Sequence, residues 1–223
     1  MSEIEGAVRG SLAIGVFRSF GNSLLPQALA EFNRAHPGIR IYVRQVSRTD
    51  MERGLLEGSL DLAVTTHHHT VPERIVAEEI FTEPLVFAIG PLHPLHGRVR
   101  IRLAALAGQP LVLREPDYPS RRLIERCFAA RGVAPVVAME VSSTEAILAI
   151  VRASTLGTVC ARRALDAYPG LHAVRLDEPE LRRTGALLWG RDRHRSAAAR
   201  ILGAMIRDAY AAPPARAARD TSS

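Results

Sequence analysis

The order β-α-β-α-β is written twice along this chain, and few folds accommodate it. Ser11–Phe17 is a short, almost wholly apolar run, which predicts a strand covered on both faces. Asn22 and Ser23 then offer helix caps, Pro26 suits a first turn, and Leu25, Ala28, Leu29 and Phe32 recur at helical spacing until His36, Pro37 and Gly38 stop the helix. Ile39, Ile41 and Val43 alternate with Arg40, Tyr42 and Arg44, a strand with one wet face. A second helix from Thr49 buries Met51 and Leu55, ends at Gly58 and leads into a strand over Leu60–Thr65.

The same order returns in the second half. Leu111–Leu113 is a short strand, Ser120 caps a helix with Leu123, Ile124, Cys127 and Phe128 on one face, and Val136–Val141 extends again after Gly132. Ser142, spaced as a capping box with Glu145, opens a helix carrying Ile147, Leu148 and Val151 to the strand Thr158–Ala161. Between the halves lie a strand, Leu85–Ile89, and a turn-rich stretch with Pro91, His93, Pro94, His96 and Gly97 that reads as a linker. Two extended segments, Leu171–Leu176 and Gly185–Trp189, precede an alanine-rich helix over Ser196–Tyr210. The expected fold is α/β, with two Rossmann-like lobes and a central cleft.

Right-handed β-α-β crossovers put strand carboxyl ends and the following helix amino ends on one edge of a sheet, where ligands bind. In the first half that edge presents Arg18, Ser19 and Phe20, then Ser47, Arg48 and Thr49, then Thr65; in the second it presents Tyr118 and Ser120, then Ser142 and Ser143. These are the candidate binding residues, rich in hydroxyls and placed where unpaired helix N–H groups point outward. A helix terminus contributes about 0.3–1 kcal/mol toward an anion and each hydrogen bond to a charged group about 1.5–3 kcal/mol. Four or five such contacts across a cleft reach about 8 kcal/mol, or micromolar affinity, for a small polar or anionic molecule.

Composition removes several alternatives. No apolar run approaches the roughly 20 residues that span a bilayer, and Met1–Gly6 is unlike a basic-then-apolar signal peptide, so a cytoplasmic protein without a membrane partner is expected. The net charge is +6 with every basic residue an arginine, yet Arg40, Arg44, Arg48 and Arg53 alternate with Glu52, Glu57 and Asp61 and form no basic block. Arg191, Arg193, His194 and Arg195 read as a solvated loop. The two cysteines, Cys127 and Cys160, suggest neither a disulfide framework nor a zinc site, and their apolar settings disfavour a redox sensor. Adjacent His67, His68 and His69 cannot easily face one metal. No serine elbow, glycine-rich phosphate loop or HExxH pattern is present, so no catalysis, cofactor or metal is expected.

Several stretches resemble one family. Gly10-Ser11-Leu12-Ala13-Ile14-Gly15, Leu24-Leu25-Pro26 leading to Phe32 and His36-Pro37, and Leu56-Glu57-Gly58-Ser59-Leu60-Asp61-Leu62-Ala63 look like the opening of the effector domain of LysR-type transcription regulators. Ala105-Leu106, Pro110-Leu111, the Ser142-Ser143 start of a helix and Leu187-Leu188-Trp189 extend the resemblance over residues 6–209. It implies a periplasmic-binding-protein-like (type II) fold: residues 8–84 and 184–210 as lobe I, 85–183 as lobe II, 1–7 as the end of a linker helix and 211–223 as a disordered tail.

The resemblance further implies an inducer between the lobes, with Ser19, Ser47 and Arg48 lining its pocket. Arg48 stands where a small hydroxyl residue is frequent in the family, and suits a carboxylate. A homodimer is implied, the helix from Ser23 to Ala35 of one subunit meeting that from Ser120 to Ala130 of another, with a tetramer in a full-length protein. Promoter DNA would be touched only through an N-terminal winged helix-turn-helix that this sequence does not contain. The rival reading is a free solute-binding protein of the same fold, against which the lack of an export signal argues.

Overall fold

The computed structural model describes residues 10–17, 25–67 and 71–211. The elements are β1 (Gly10–Val16), α1 (Leu25–Ala35), β2 (Ile39–Gln45), α2 (Arg48–Glu57), β3 (Leu62–His67), β4 (Ile75–Ile89), β5 (Arg100–Ile101), β6 (Pro110–Leu113), α3 (Pro119–Ala130), β7 (Val136–Glu140), α4 (Thr144–Arg152), β8 (Gly157–Ala161), β9 (His172–Leu176), β10 (Arg182–Gly190) and α5 (Ala197–Ala211). The chain forms two compact units. Among the described residues, the first combines those up to Phe81 with Thr184–Ala211, and the second is Thr82–Arg183.

In the first unit β2, β1 and β3 run parallel, and β10 pairs antiparallel with β3. The two-residue period of a strand divides its side chains between two layers. Leu12, Ile14 and Val16 of β1, Leu62 and Val64 of β3, and Leu187 and Trp189 of β10 face α1 and α5, which supply Leu25, Ala28, Phe32, Leu202, Ile206 and Tyr210. The alternate positions Ala63, Ala186 and Leu188 face Met51 and Leu55 of α2. Both faces are therefore covered, as the apolar run of β1 requires.

The second unit repeats the scheme. β6 lies between parallel β7 and β8, and β4 pairs antiparallel with β8 and β9. Leu85, Phe87 and Ile89 of β4 pack with Leu123, Ile124, Cys127 and Phe128 of α3, while Val86 and Ala88 pack with Ile147, Leu148 and Val151 of α4.

Several local expectations are corrected. Alternation puts Val43 on a dry strand face, but among the described residues β2 borders β1 alone, and Val43 is 47% exposed with Tyr42 beside it. Ser120 does not cap α3. The cap position is Tyr118, without a side-chain hydrogen bond, because Pro119 takes the first helical position where its missing N–H costs nothing. Ser143, not Ser142, caps α4, its Oγ accepting the Ala146 N–H at 3.3 Å. At α2, Ser47 accepts the Asp50 N–H at 3.2 Å, and Gly58 closes the far end in the left-handed conformation, φ 81°.

The arginines before α5 lie on a largely exposed loop, as expected, and are also anchored to the first unit. Arg193 Nε and Nη2 donate to the Leu56 carbonyl at the end of α2 at 3.1 and 2.7 Å, Arg191 Nε donates to the Glu73 carbonyl at 2.6 Å, and Arg195 pairs with Glu78 at 2.6 Å while lying over Trp189. They staple the first unit together.

The stretch after β4 is also less loose than its prolines and glycines suggest. His93 is 2% exposed, its ring edge-on to Phe87. Nδ1 accepts the Leu95 N–H at 3.0 Å, so the proton of the neutral ring resides on Nε2, which is buried with no hydrogen-bond partner among the described residues. Burial holds the His93 pKa below its ordinary value. The unfolded chain therefore binds a proton near pH 6.5 that the folded chain refuses. The stabilisation from neutral His93 is complete above that pH and is lost as pH falls toward the folded-state value. Urea midpoints measured at pH 7 and pH 5 are expected to separate more in the wild type than in His93→Gln; equal separation would assign the acid sensitivity to other groups.

Candidate functional site

In each unit the described candidate residues occupy the carboxyl edge of the parallel strands. In the first unit, Ser47 follows β2 and starts α2, its hydroxyl donating to Asp50 Oδ2 at 2.7 Å. Arg48 is half-exposed, and its Nε meets Glu52 Oε1 one turn on at 2.8 Å. Thr49 is exposed in the first turn of α2. Thr65, near the end of β3, is buried, and its hydroxyl donates to the Thr66 carbonyl at 3.4 Å. Arg18, Ser19 and Phe20 lie outside the described residues, as do His68 and His69.

In the second unit, Tyr118 and Ser120 stand at the start of α3 beyond β6, and Ser142 and Ser143 at the start of α4 beyond β7. Ser142 is exposed; Tyr118, Ser120 and Ser143 are half-buried. Ser143 donates to the Glu145 carboxylate while accepting the Ala146 N–H, so its hydroxyl is committed to the helix end.

Sequence reasoning passed over Arg114. This residue follows β6 directly, places its guanidinium 3.6 Å from the centre of the Tyr118 ring, and donates from Nη1 to Thr144 Oγ1 at 2.8 Å. It thus joins the two helix starts of the second unit through a cation. Its position immediately after a strand and before a turn was the available signal.

Arg121 fixes this edge from beneath. Its side chain is buried, donating from Nη1 to the Arg114 carbonyl at 2.6 Å and to Glu140 Oε1 at 3.0 Å, and from Nε to Glu125 Oε1 at 2.7 Å. A cation in the first turn of a helix works against the helix dipole. Its three partners, the Arg114 carbonyl just after β6, Glu140 of β7 and Glu125 of α3, offset that cost and hold the three elements in register. The edges can therefore offer hydroxyls, helix-terminal N–H groups and guanidinium donors, which is recognition chemistry for an oxyanion.

The cysteines offer little nucleophilic chemistry. Burial pushes the Cys160 thiol up to about 12, and burial with nearby Glu178 and Glu180 raises that of Cys127. Among the described residues, no group of three or more His, Cys, Asp and Glu side chains is placed to hold a metal ion, and no helix is long and apolar enough to cross a membrane.

Comparison with known proteins places this geometry in a family. The LysR substrate binding domain matches residues 5–211. The RuBisCO operon transcriptional regulator of Allochromatium vinosum is 34% identical over 155 residues, covering 68% of this chain and 50% of that protein. This chain thus spans about half the length of that regulator. HinK, a LysR family transcriptional regulator from Pseudomonas aeruginosa, superposes with a TM-score of 0.80 at 24% identity, over 92% of this chain and 71% of that one. The BenM effector binding domain, solved with its effector benzoate, superposes with a TM-score of 0.77 at 23% identity, over 93% and 97%. The fold is the periplasmic-binding-protein-like fold of effector-binding domains, and the chain belongs to the LysR substrate-binding-domain family.

Proposed function

We propose that this chain is the effector-sensing part of a LysR-type transcription regulator, that its two units are lobes I and II, and that its ligand is a small anionic effector. The observation that carries the reading is the repeated edge: each unit independently collects helix starts, hydroxyls and an arginine at the carboxyl ends of its parallel strands. Arg18, Ser19, Phe20, Ser47, Arg48, Thr49 and Thr65 would contribute from lobe I, and Tyr118, Ser120, Ser142 and Ser143, with Arg114, from lobe II. The benzoate held by BenM is a carboxylate of the kind these groups suit.

The chain would act as a cytoplasmic homodimer, tetrameric when joined to its DNA-reading module, and would influence promoter DNA through that module without catalysing a reaction. Exposed apolar positions on strands at sheet edges support pairing: Tyr42 and Val43 on β2, and Val136, Val137 and Met139 on β7. A ligand shifts such a regulator only by preferring one state; a 100-fold preference supplies about 2.7 kcal/mol.

Thermal-shift titration with benzoate, other small carboxylates and sugar phosphates tests the reading. One of these is expected to raise the melting temperature in proportion to the logarithm of its concentration, by about 2.7 kcal/mol of stability at a hundred times its dissociation constant. Arg114→Met is expected to abolish most of that rise. A folded protein whose melting temperature moves with no member of the set would refute control by a small anion.

A further inference from the structure

The turns that follow β4 invert the usual order of burial. Their histidine is inside: His93 packs edge-on to Phe87, its N–H donates to the Gly90 carbonyl at 3.2 Å, and its carbonyl accepts the His96 N–H at 2.9 Å. Leu95 packs against the same core, the Arg98 N–H donates to the Leu95 carbonyl at 3.1 Å, and His172 Nε2 of β9 donates to the Arg98 carbonyl at 2.8 Å. The backbone is thus pinned to the second unit, yet Leu92 is 62% and Val99 77% exposed, the two most exposed large apolar side chains among the described residues. A single apolar side chain in water is ordinary. Val99 differs because it borders an open strand edge and a group of like charges.

Val99 leads into β5, which among the described residues borders β9 alone. The Val99 and Ile101 carbonyls accept the Arg175 and Asp177 N–H groups at 2.9 and 3.0 Å, so Arg100 between them turns its own N–H and C=O away from β9. Such an edge can take up a further strand. Arg98 and Arg102 flank Arg100, and Arg175 stands opposite it on β9; all four are exposed. Residues 90–102 and β9 contain no aspartate or glutamate, and Asp177, next after β9, pairs with Arg100. Charge of one sign along the edge repels a second copy of the same edge and selects a partner of opposite sign. A nucleic-acid backbone matches that charge but offers neither strand pairing nor an apolar side chain for Val99.

We propose that β5 is the docking edge for an extended acidic peptide segment of a partner protein, which adds as a strand beside Arg100, sets its carboxylates against Arg98, Arg102 and Arg175, and covers Val99. This goes beyond the effector-sensing reading and does not rest on it, because every residue involved lies within Thr82–Arg183 and none is a candidate effector contact. Main-chain pairing provides the grip, and the arginines provide the choice of partner.

Amide chemical-shift titration of the whole chain with a capped peptide alternating glutamate and valine tests this. Shifts are expected at Val99, Arg100 and Arg102, with a dissociation constant of about 0.1 mM. Exchanging the glutamates for lysines, or methylating alternate peptide nitrogens so that strand pairing is blocked, is expected to weaken binding at least about tenfold. The double variant Arg98→Glu with Arg102→Glu is expected to weaken the acidic peptide as much, and the two peptide controls decide the matter on the wild-type chain should that variant misfold. A thymidine oligonucleotide of equal charge is expected to bind more weakly than the acidic peptide. A lysine or methylated peptide that binds as tightly as the acidic one, an oligonucleotide that binds more tightly, or no shift in this segment at about 1 mM acidic peptide would overturn the proposal.

Discussion

Phe87→Ala is expected to destabilise the second unit by about 3–5 kcal/mol while leaving the first unit's own transition in place. Phe87 is fully buried on β4, central to the cluster that α3 closes, edge-on to His93 and laid over Gly157 of β8 where a side chain would collide with it. Truncation removes the ring and leaves a cavity that glycine cannot fill. Against a total stability of about 5–15 kcal/mol for a domain, the loss is a large fraction. The single tryptophan, Trp189, belongs to the first unit's core and reports on that unit alone. Urea unfolding followed by far-ultraviolet circular dichroism should therefore gain an early phase that tryptophan fluorescence lacks. Coincident curves, shifted equally by both probes, would show that the two cores unfold as one.

The second large effect is expected at Gly203 in α5. A Cβ there would stand 2.8 Å from Trp189 Cζ2 and 3.0 Å from Cη2, and Trp189 is itself buried under the Arg195 guanidinium. Two effects oppose each other on substitution by alanine: the helix gains about 1 kcal/mol in propensity, and overpacking costs about 1–3 kcal/mol. The net loss is about 1 kcal/mol. Gly203→Leu adds three further carbons to the same contact and is expected to lose about 3 kcal/mol, with Trp189 emission moving to longer wavelength as the ring is displaced. A leucine variant as stable as the wild type would mean that α5 slides along the sheet without resistance.

These positions also show what the residues disclose unaided. The alternation Leu12, Ile14, Val16 and the helical spacing Leu25, Ala28, Phe32 are legible because burial follows hydrophobicity at those positions, with Leu29 partly buried at the margin. β4 is the counter-example. Its last five residues read as a strand, but the element starts at Ile75, and its inward position 83 carries a glutamate while Pro84 faces outward. A buried charge whose partner lies 100 positions away cannot be seen in a local pattern. Val43 fails for the opposite reason: its alternation is sound, yet its strand borders a single neighbour among the described residues. At the helix starts, Ser142 and Ser143 are both plausible caps by spacing, and backbone geometry decides between them. The hydroxyl-rich edges follow from strand order alone, whereas Arg114 acquires meaning only once Tyr118 and Thr144 are brought beside it.

The route of the chain has a consequence for its synthesis. Thr82–Arg183 is one uninterrupted stretch, whereas the other unit is completed by β10 and α5 from the far end of the sequence. During translation the inserted stretch can mature while β3 still waits for the antiparallel neighbour that covers its edge. Once residue 183 has cleared the ribosomal exit tunnel, the nascent chain will therefore carry one finished body and one orphaned half-sheet, and it is the amino-terminal half, although made first, that chaperones must shelter longest.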